Sequence, residues 1–330
     1  MQLRHARRKS VLGLWLVCFV FLGSGCTLVN VSLYQPARPL EEKVVEGKGP
    51  GKIVLIDVSG ILTSRESSSL DLFRERASVV ARVKEELDKA AEDEAVKVVV
   101  LRIHTPGGTV TASDLLHHEI IEFKRKTKAK VAAHLMGVAT SGGYYVATAA
   151  DYIAAQPTSI TGSIGVIALQ FNIQGLLEKI GVEGQSIKSG DKKDMWSPFR
   201  RLTPEERKIL QDIINGYKDA FLEVVRNGRP SMTSQDLATV ADGRLVSAKQ
   251  ALELHLVDKL AYLEDTLNWA RSAAAVPEAK IVLYRRPGTY VDNIYSLSTM
   301  AEESWLRRLQ QEAPWQQQAD TPLFMYVWLP

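Results

Sequence analysis

Cysteine is almost missing from this chain: of 330 residues, only Cys18 and Cys26 carry a thiol. Both sit near the N-terminus, so a disulfide framework is excluded. Histidine is scarce too, with six in all. No ligand cluster has metal-site spacing, and no nucleotide-binding fingerprint is present, so neither a metal nor another cofactor is implied. The body also lacks a dominant charge. The formal +3 arises at the N-terminus, where Arg4, Arg7, Arg8 and Lys9 stand without an acid in the first 25 residues. Removing these four from the chain's 41 bases leaves 37 against 38 acids. Such a body gives no electrostatic case for nucleic acid.

The N-terminus itself is informative. The four bases form an n-region, 11–22 an apolar h-region, and Gly23, Ser24 and Gly25 a small-residue lead to Cys26. This reads as an export signal over 1–25, not as part of the fold. Cleavage there leaves Cys26 as the first residue and the only cysteine. The string resembles a bacterial lipobox, with Leu22 one place early and Gly23 in its slot, and implies an acylated Cys26. An uncleaved anchor is the alternative, since 10–33 carry no charge and can just span a bilayer; plain secretion is a third. All three place the body outside the cytosol, facing the periplasm or the cell exterior.

Beyond the signal, 26–51 is rich in Pro, Gly and charge and reads as a tether. From Lys52 strand and helix patterns alternate. Strands are expected at 53–58, 96–103, 130–136 and 152–155. Helices are expected at 70–91, 112–126, 143–150, 172–180, 204–227, 234–241, 247–254 and 263–274. The nearly continuous apolar run 96–103 suits a parallel strand covered on both faces. The expected fold is α/β with a largely parallel sheet, over 52–275, followed by an extension over 276–330. That extension carries a strand candidate at 281–284, a Gln-rich stretch, and an apolar end at 323–328 expected to dock as an edge segment.

Four strings could carry chemistry. In Ser141-Gly142-Gly143-Tyr144-Tyr145 an apolar lead-in delivers a serine to a strand-to-helix turn. Its hydroxyl can project there with the next amide free, which suits a nucleophile beside an oxyanion donor; a plain helix cap is the bland alternative. In Thr105-Pro106-Gly107-Gly108 the glycines let amides face outward. In Thr161-Gly162-Ser163-Ile164-Gly165-Val166 a loop could bring the Ser163 hydroxyl to a catalytic neighbour. The charged stretch 188–198 holds Lys188, Lys192 and Lys193. A serine nucleophile needs a base. His104 and His134 lie near the glycine loops and remain candidates; a lysine serves instead where burial disfavours its ammonium.

Together with Ala241-Asp242-Gly243-Arg244 and Leu256-Val257-Asp258, these strings in this order resemble the SppA-type signal peptide peptidases (protease IV-like) over roughly 52–270. The resemblance implies a ClpP/crotonase-like fold and a Ser-Lys dyad. Ser141 falls on the nucleophile, Lys193 on the general base, Ser163 on the serine that hydrogen-bonds the lysine, and Gly108 and Gly142 on the oxyanion amides. His104-Thr105 departs from the family, where Asn or Asp and then Ser are more usual. A single motif set matches the short form, which implies a homo-oligomer with Ser and Lys of each site from adjacent protomers. The expected protein is a membrane-tethered serine endopeptidase acting on cleaved signal peptides or other apolar, extended peptides. A crotonase-like acyl-CoA enzyme and a non-catalytic membrane scaffold of the same fold are the rivals.

Overall fold

The computed structural model describes residues 39–64, 67–68, 75–76, 78–286, 293–294 and 324–329. The expected signal peptide and Cys26 lie outside them. The strands are β1 (Glu41–Glu46), β2 (Lys52–Ser59), β3 (Ser67–Ser68), β4 (Glu75–Arg76), β5 (Val96–Thr105), β6 (Gly107–Thr109), β7 (Lys130–Ala139), β8 (Tyr152–Ala155), β9 (Ile160–Gly162), β10 (Ile167–Ala168), β11 (Leu245–Ser247), β12 (Lys259–Leu260), β13 (Lys280–Arg285) and β14 (Phe324–Val327). The helices are α1 (Val79–Ala91), α2 (Val110–Thr127), α3 (Gly142–Ala147), α4 (Gln174–Lys179), α5 (Pro204–Gly228), α6 (Ser234–Val240), α7 (Ala248–Glu253) and α8 (Leu263–Ala273).

The main path of the nine-stranded central sheet runs β1-β13-β2-β5-β7-β8-β12 and is parallel except at β1–β13; β9 branches from β7 in parallel and pairs antiparallel with β11. Its apolar runs are continuous because both faces are covered, and the two-residue period of a strand sorts them. Val54, Ile56, Val99 and Leu101 face one core with Val83 and Leu87 of α1 and Leu116 and Ile120 of α2. Ile53, Leu55, Val98 and Val100 face a second core with Leu263, Leu267 and Ala270 of α8.

Three sequence expectations shift. The helix expected over 70–91 starts at Val79, because Ser78 Oγ accepts from the Ala81 amide at 3.1 Å and caps it; residues 75–76 are strand, and 70–74 lie outside the described residues. The sheet also runs past the 52–275 span at both ends: β1 comes from the stretch read as a tether, and β13 from the extension sits between β1 and β2. The apolar end docks as expected, yet β14 is the middle strand of a small sheet, β10-β14-β6, rather than an edge.

One buried ion cluster locks β13 in place. Asp57 of β2 accepts from Arg102 Nε of β5 at 2.6 Å and from Arg285 Nη2 of β13 at 2.9 Å. All three side chains are buried, and Arg102 also donates to the Ile294 carbonyl. Asp57→Ala removes the carboxylate that two buried guanidinium groups share, which costs about 3–5 kcal/mol. Urea unfolding should show a lower midpoint at an unchanged slope.

His134, on β7 under α8, is fully buried with Nδ1 2.8 Å from Thr266 Oγ1. Burial pushes its pKa down from 6.5 to about 4. The unfolded chain therefore takes up a proton near 6.5 that the folded chain refuses until about 4. This residue's contribution to stability falls as pH drops through that window. Glu86, pushed up to about 7 by burial, acts in the opposite sense. The check is a difference: His134→Gln, which cannot titrate, should lose less stability than the wild type between pH 6.5 and 4 in denaturant melts.

Candidate active site

β7 ends at Ala139 and hands the chain to α3 through Thr140 and Ser141. Ser141 takes φ 52°, in the left-handed region that side chains other than glycine avoid. The surroundings hold it there. The Thr140 amide donates to the Thr105 carbonyl at 3.1 Å, the Ser141 amide to the Gly162 carbonyl at 2.8 Å, and the Tyr145 amide to the Ser141 carbonyl at 2.9 Å. Thr161 Oγ1 donates to the Ala139 carbonyl at 2.6 Å. Three of the four sequence strings thus meet by backbone hydrogen bonds at one end of the sheet. Ser141 is 1% exposed, and its Oγ has no hydrogen-bond partner among the described residues.

The two glycines after the serine have steric reasons. A methyl on Gly142 would overlap Ser113 Oγ, and one on Gly143 would lie 2.6 Å from Thr105 Cγ2. The Gly142 amide opens α3 and has no acceptor within the helix. In the 105–108 turn Gly107 takes φ 104°. Its amide donates to Thr105 Oγ1 at 3.0 Å, and that hydroxyl donates to the Gly60 carbonyl. Thr105 thus braces the turn.

Gly162 and Ser163 are consecutive left-handed residues, φ 82° and 53°, and the Ser163 amide donates to the Arg244 carbonyl at 2.8 Å. The 241–244 string is therefore the turn that backs Ser163. The 256–258 string is scaffold as well. Tyr144 Oη donates to the Leu256 carbonyl at 2.9 Å, while Asp258 accepts from the Ile153 amide at 2.7 Å and from both terminal nitrogens of Arg229.

Gly108, Ser141, Gly142 and Ser163 converge. Lys193 does not join them within this chain. Its side chain is exposed and makes no hydrogen bond or ion pair among the described residues. Lys192 pairs with Glu205 at 2.5 Å, and Lys188 with Asp194 at 2.7 Å. Arg200 and Lys188 hold the Asp194 carboxylate far below its ordinary range. Neither candidate histidine reaches Ser141: His104 Nδ1 lies 2.6 Å from the Met136 carbonyl, and His134 is held by Thr266.

Sequence reasoning missed what lies beside the site. β14 runs antiparallel to both β6 and β10. Tyr326 sinks its ring between Tyr145, stacked at 5.2 Å between centroids, and Phe221 at 4.7 Å, and its hydroxyl donates to the Tyr217 carbonyl at 2.7 Å. The one sequence signal was the apolar string 323–328, which says that the end docks but not where.

Residues 123–277 match the model of Peptidase family S49. An Enterococcus faecium protein named as a signal peptide peptidase SppA is 35% identical over 80% of this chain and 75% of its own length. Protease 4 of Haemophilus influenzae is 29% identical over 81% of this chain and 42% of that protein. The chloroplastic serine protease SPPA of Arabidopsis thaliana is 32% identical over 67% of this chain and 33% of that one. With its ClpP/crotonase-like fold and an unpartnered serine at the motif position, the chain belongs to the S49 family of SppA-type serine peptidases.

Proposed function

We propose that this peptidase uses a Ser141–Lys193 dyad completed between neighbouring copies, and that it cuts apolar, extended peptides such as released signal peptides while tethered to a membrane outside the cytosol. The observation that carries the reading is the unpartnered, left-handed Ser141 with the Gly108 and Gly142 backbone beside it. Ser141 Oγ attacks a peptide carbonyl and forms an ester bond. The neutral amine of Lys193 takes the hydroxyl proton and passes it to the leaving amine as the C–N bond breaks. Water then cleaves the ester, and Ser141 regains its proton through the same lysine. The amides of Gly108 and Gly142 hold the negative oxygen in each step. Ser163 positions the lysine.

Two observations support a shared site. Lys193 is exposed in the single chain, and the surrounding region leaves Leu176, Ile180, Val182, Ile187 and Phe199 exposed. Exposed apolar side chains at this density favour contact with a second copy. β14 lies between β6 and β10, and an extended peptide that displaced it would pair with both as an added strand. Among the described residues no helix is long and apolar enough to cross a membrane. The tether assigned here is lipid on Cys26.

Ser141→Ala should lower peptide hydrolysis by several orders of magnitude, about 10⁴-fold or more, with unfolding unchanged. Lys193→Ala should be equally inactive. Lys193→Arg should not restore activity, because a guanidinium stays protonated. Mixing Ser141→Ala with Lys193→Ala protein should recover part of the activity if the dyad forms between copies, whereas a dyad within one chain recovers none. Cys26→Ser should abolish lipid attachment, read by mass spectrometry of the mature N-terminus; an unchanged trimmed, membrane-bound form would assign the tether elsewhere.

A further inference from the structure

We propose that Arg200 is a positioning residue of the peptidase: it clamps the turn that carries Lys193 to the start of α5, so that the lysine reaches Ser141 of a neighbouring copy from a fixed arm. The inference rests on the reading of Lys193 as a base shared between copies. It adds to that site a residue that touches neither the substrate nor the serine.

The first support is what the arm lacks. Between the end of α4 at Lys179 and the start of α5 at Pro204 the chain forms no helix or strand. Side chains must therefore fix it. The Asp194 carboxylate, one residue after Lys193, accepts from Arg200 Nε at 2.9 Å and from Nη2 at 2.6 Å. The same guanidinium donates from Nη1 to Glu206 Oε2 at 2.8 Å and from Nη2 to Oε1 at 2.6 Å. A planar fork of five donors can serve two carboxylates at once, whereas an ammonium is a point charge. Ser186 Oγ and Lys188 Nζ also donate to Asp194, at 2.8 Å and 2.7 Å. The chain leading into the turn is thus tied to the same carboxylate.

The second support is the root of the clamp. Glu206 is 1% exposed and completes the capping box of α5. Its Oε2 accepts from the Thr203 amide at 2.9 Å, and its own amide donates to Thr203 Oγ1 at 3.2 Å. A capping box is complete without an arginine, so the guanidinium gives this carboxylate a second use. Further along, α5 sinks Phe221 and Val225 into the main core. The arm is therefore fastened to a rigid element. Hydrogen bonds from Arg200 hold Glu206 down at about 2 and Asp194 well below its ordinary range. Both carboxylates stay charged near neutral pH, and protonation does not open the clamp there.

The third support is which side chain is left over. Lys192 pairs with Glu205 at 2.5 Å, and Asp194 reaches Glu206 through Arg200. The residues on either side of Lys193 are thus both tied to the first turn of α5. Lys193 itself is exposed and makes no hydrogen bond or ion pair among the described residues. Its backbone is fixed, with its amide donating to the Gly190 carbonyl at 3.0 Å, while its amine stays available.

Turnover of an apolar fluorogenic peptide by the purified full chain tests this. Arg200→Ala should lower kcat about 10²-fold, the cost of a misplaced catalytic group, and leave KM within about two-fold. Arg200→Lys keeps the charge but not the fork and should fall between Arg200→Ala and the wild type. Wild-type kcat in Arg200→Ala overturns the proposal. Co-expression with differently tagged partners locates the effect. Arg200→Ala assembled with Ser141→Ala should regain activity, because an intact arm then meets an intact serine. Assembled with Lys193→Ala it should not, because neither copy offers a held lysine. The reverse pattern would put Arg200 on the serine's side and overturn the proposal. Arg200→Lys goes through the same pairings, so the pattern stays readable if Arg200→Ala fails to fold. No regain by either variant with either partner, where Ser141→Ala with Lys193→Ala does regain activity, makes Arg200 a requirement of assembly and also overturns it. If that control pair regains nothing, the shared dyad itself falls, and the clamp's assigned role falls with it.

Discussion

The site depends on one strained residue. A serine at φ 52° costs on the order of 1–3 kcal/mol relative to an ordinary backbone, and it persists because neighbours on both sides demand it. The Thr105 carbonyl claims the amide before it and the Gly162 carbonyl claims its own. Each demand propagates. The chain after Ser141 must pass so close to Ser113 and Thr105 that only glycine fits at 142 and 143. The loop that supplies the Gly162 carbonyl must itself turn left-handed at 162 and 163. The strings that look like separate motifs in the sequence are thus consequences of a single backbone requirement.

Much of this is legible in the amino-acid sequence. Alternating strand and helix periods gave the α/β layers, because strands buried on two faces cannot hide their apolar runs and α1 or α8 cannot hide its stripe. The order of glycine strings pointed to Gly108, Ser141, Gly142 and Ser163, which the fold brings to one end of the sheet. The placement of β1 and β13 was less legible. Asp57 ties β13 to β2 through Arg285, and β1 then pairs with the edge that β13 offers; neither follows from a local pattern. The seat of Tyr326 was invisible for the same reason: an apolar string declares burial but not its partner. Only the family resemblance points to Lys193, and among the described residues of one chain nothing holds it near the serine.

The histidines show how a scarce residue can mislead. Both candidates lie on strands that lead to the site, which made them plausible bases. His104 is bound to the Met136 carbonyl, and His134 lies under α8, held by Thr266. They are parts of the scaffold, and their chemistry serves the sheet rather than the hydroxyl.

The position of β13 also sets a schedule for folding. β2 is flanked by β5 on one side and by β13 on the other, and the Asp57 carboxylate needs an arginine from each. Of the two, Arg285 lies more than two hundred residues downstream of Asp57. Until it leaves the ribosome, the chain holds an open strand edge and a half-compensated buried acid. Closing so distant a contact is slow, and partly built sheets are open to wrong pairing. The native core can be completed only after β13 has been synthesised.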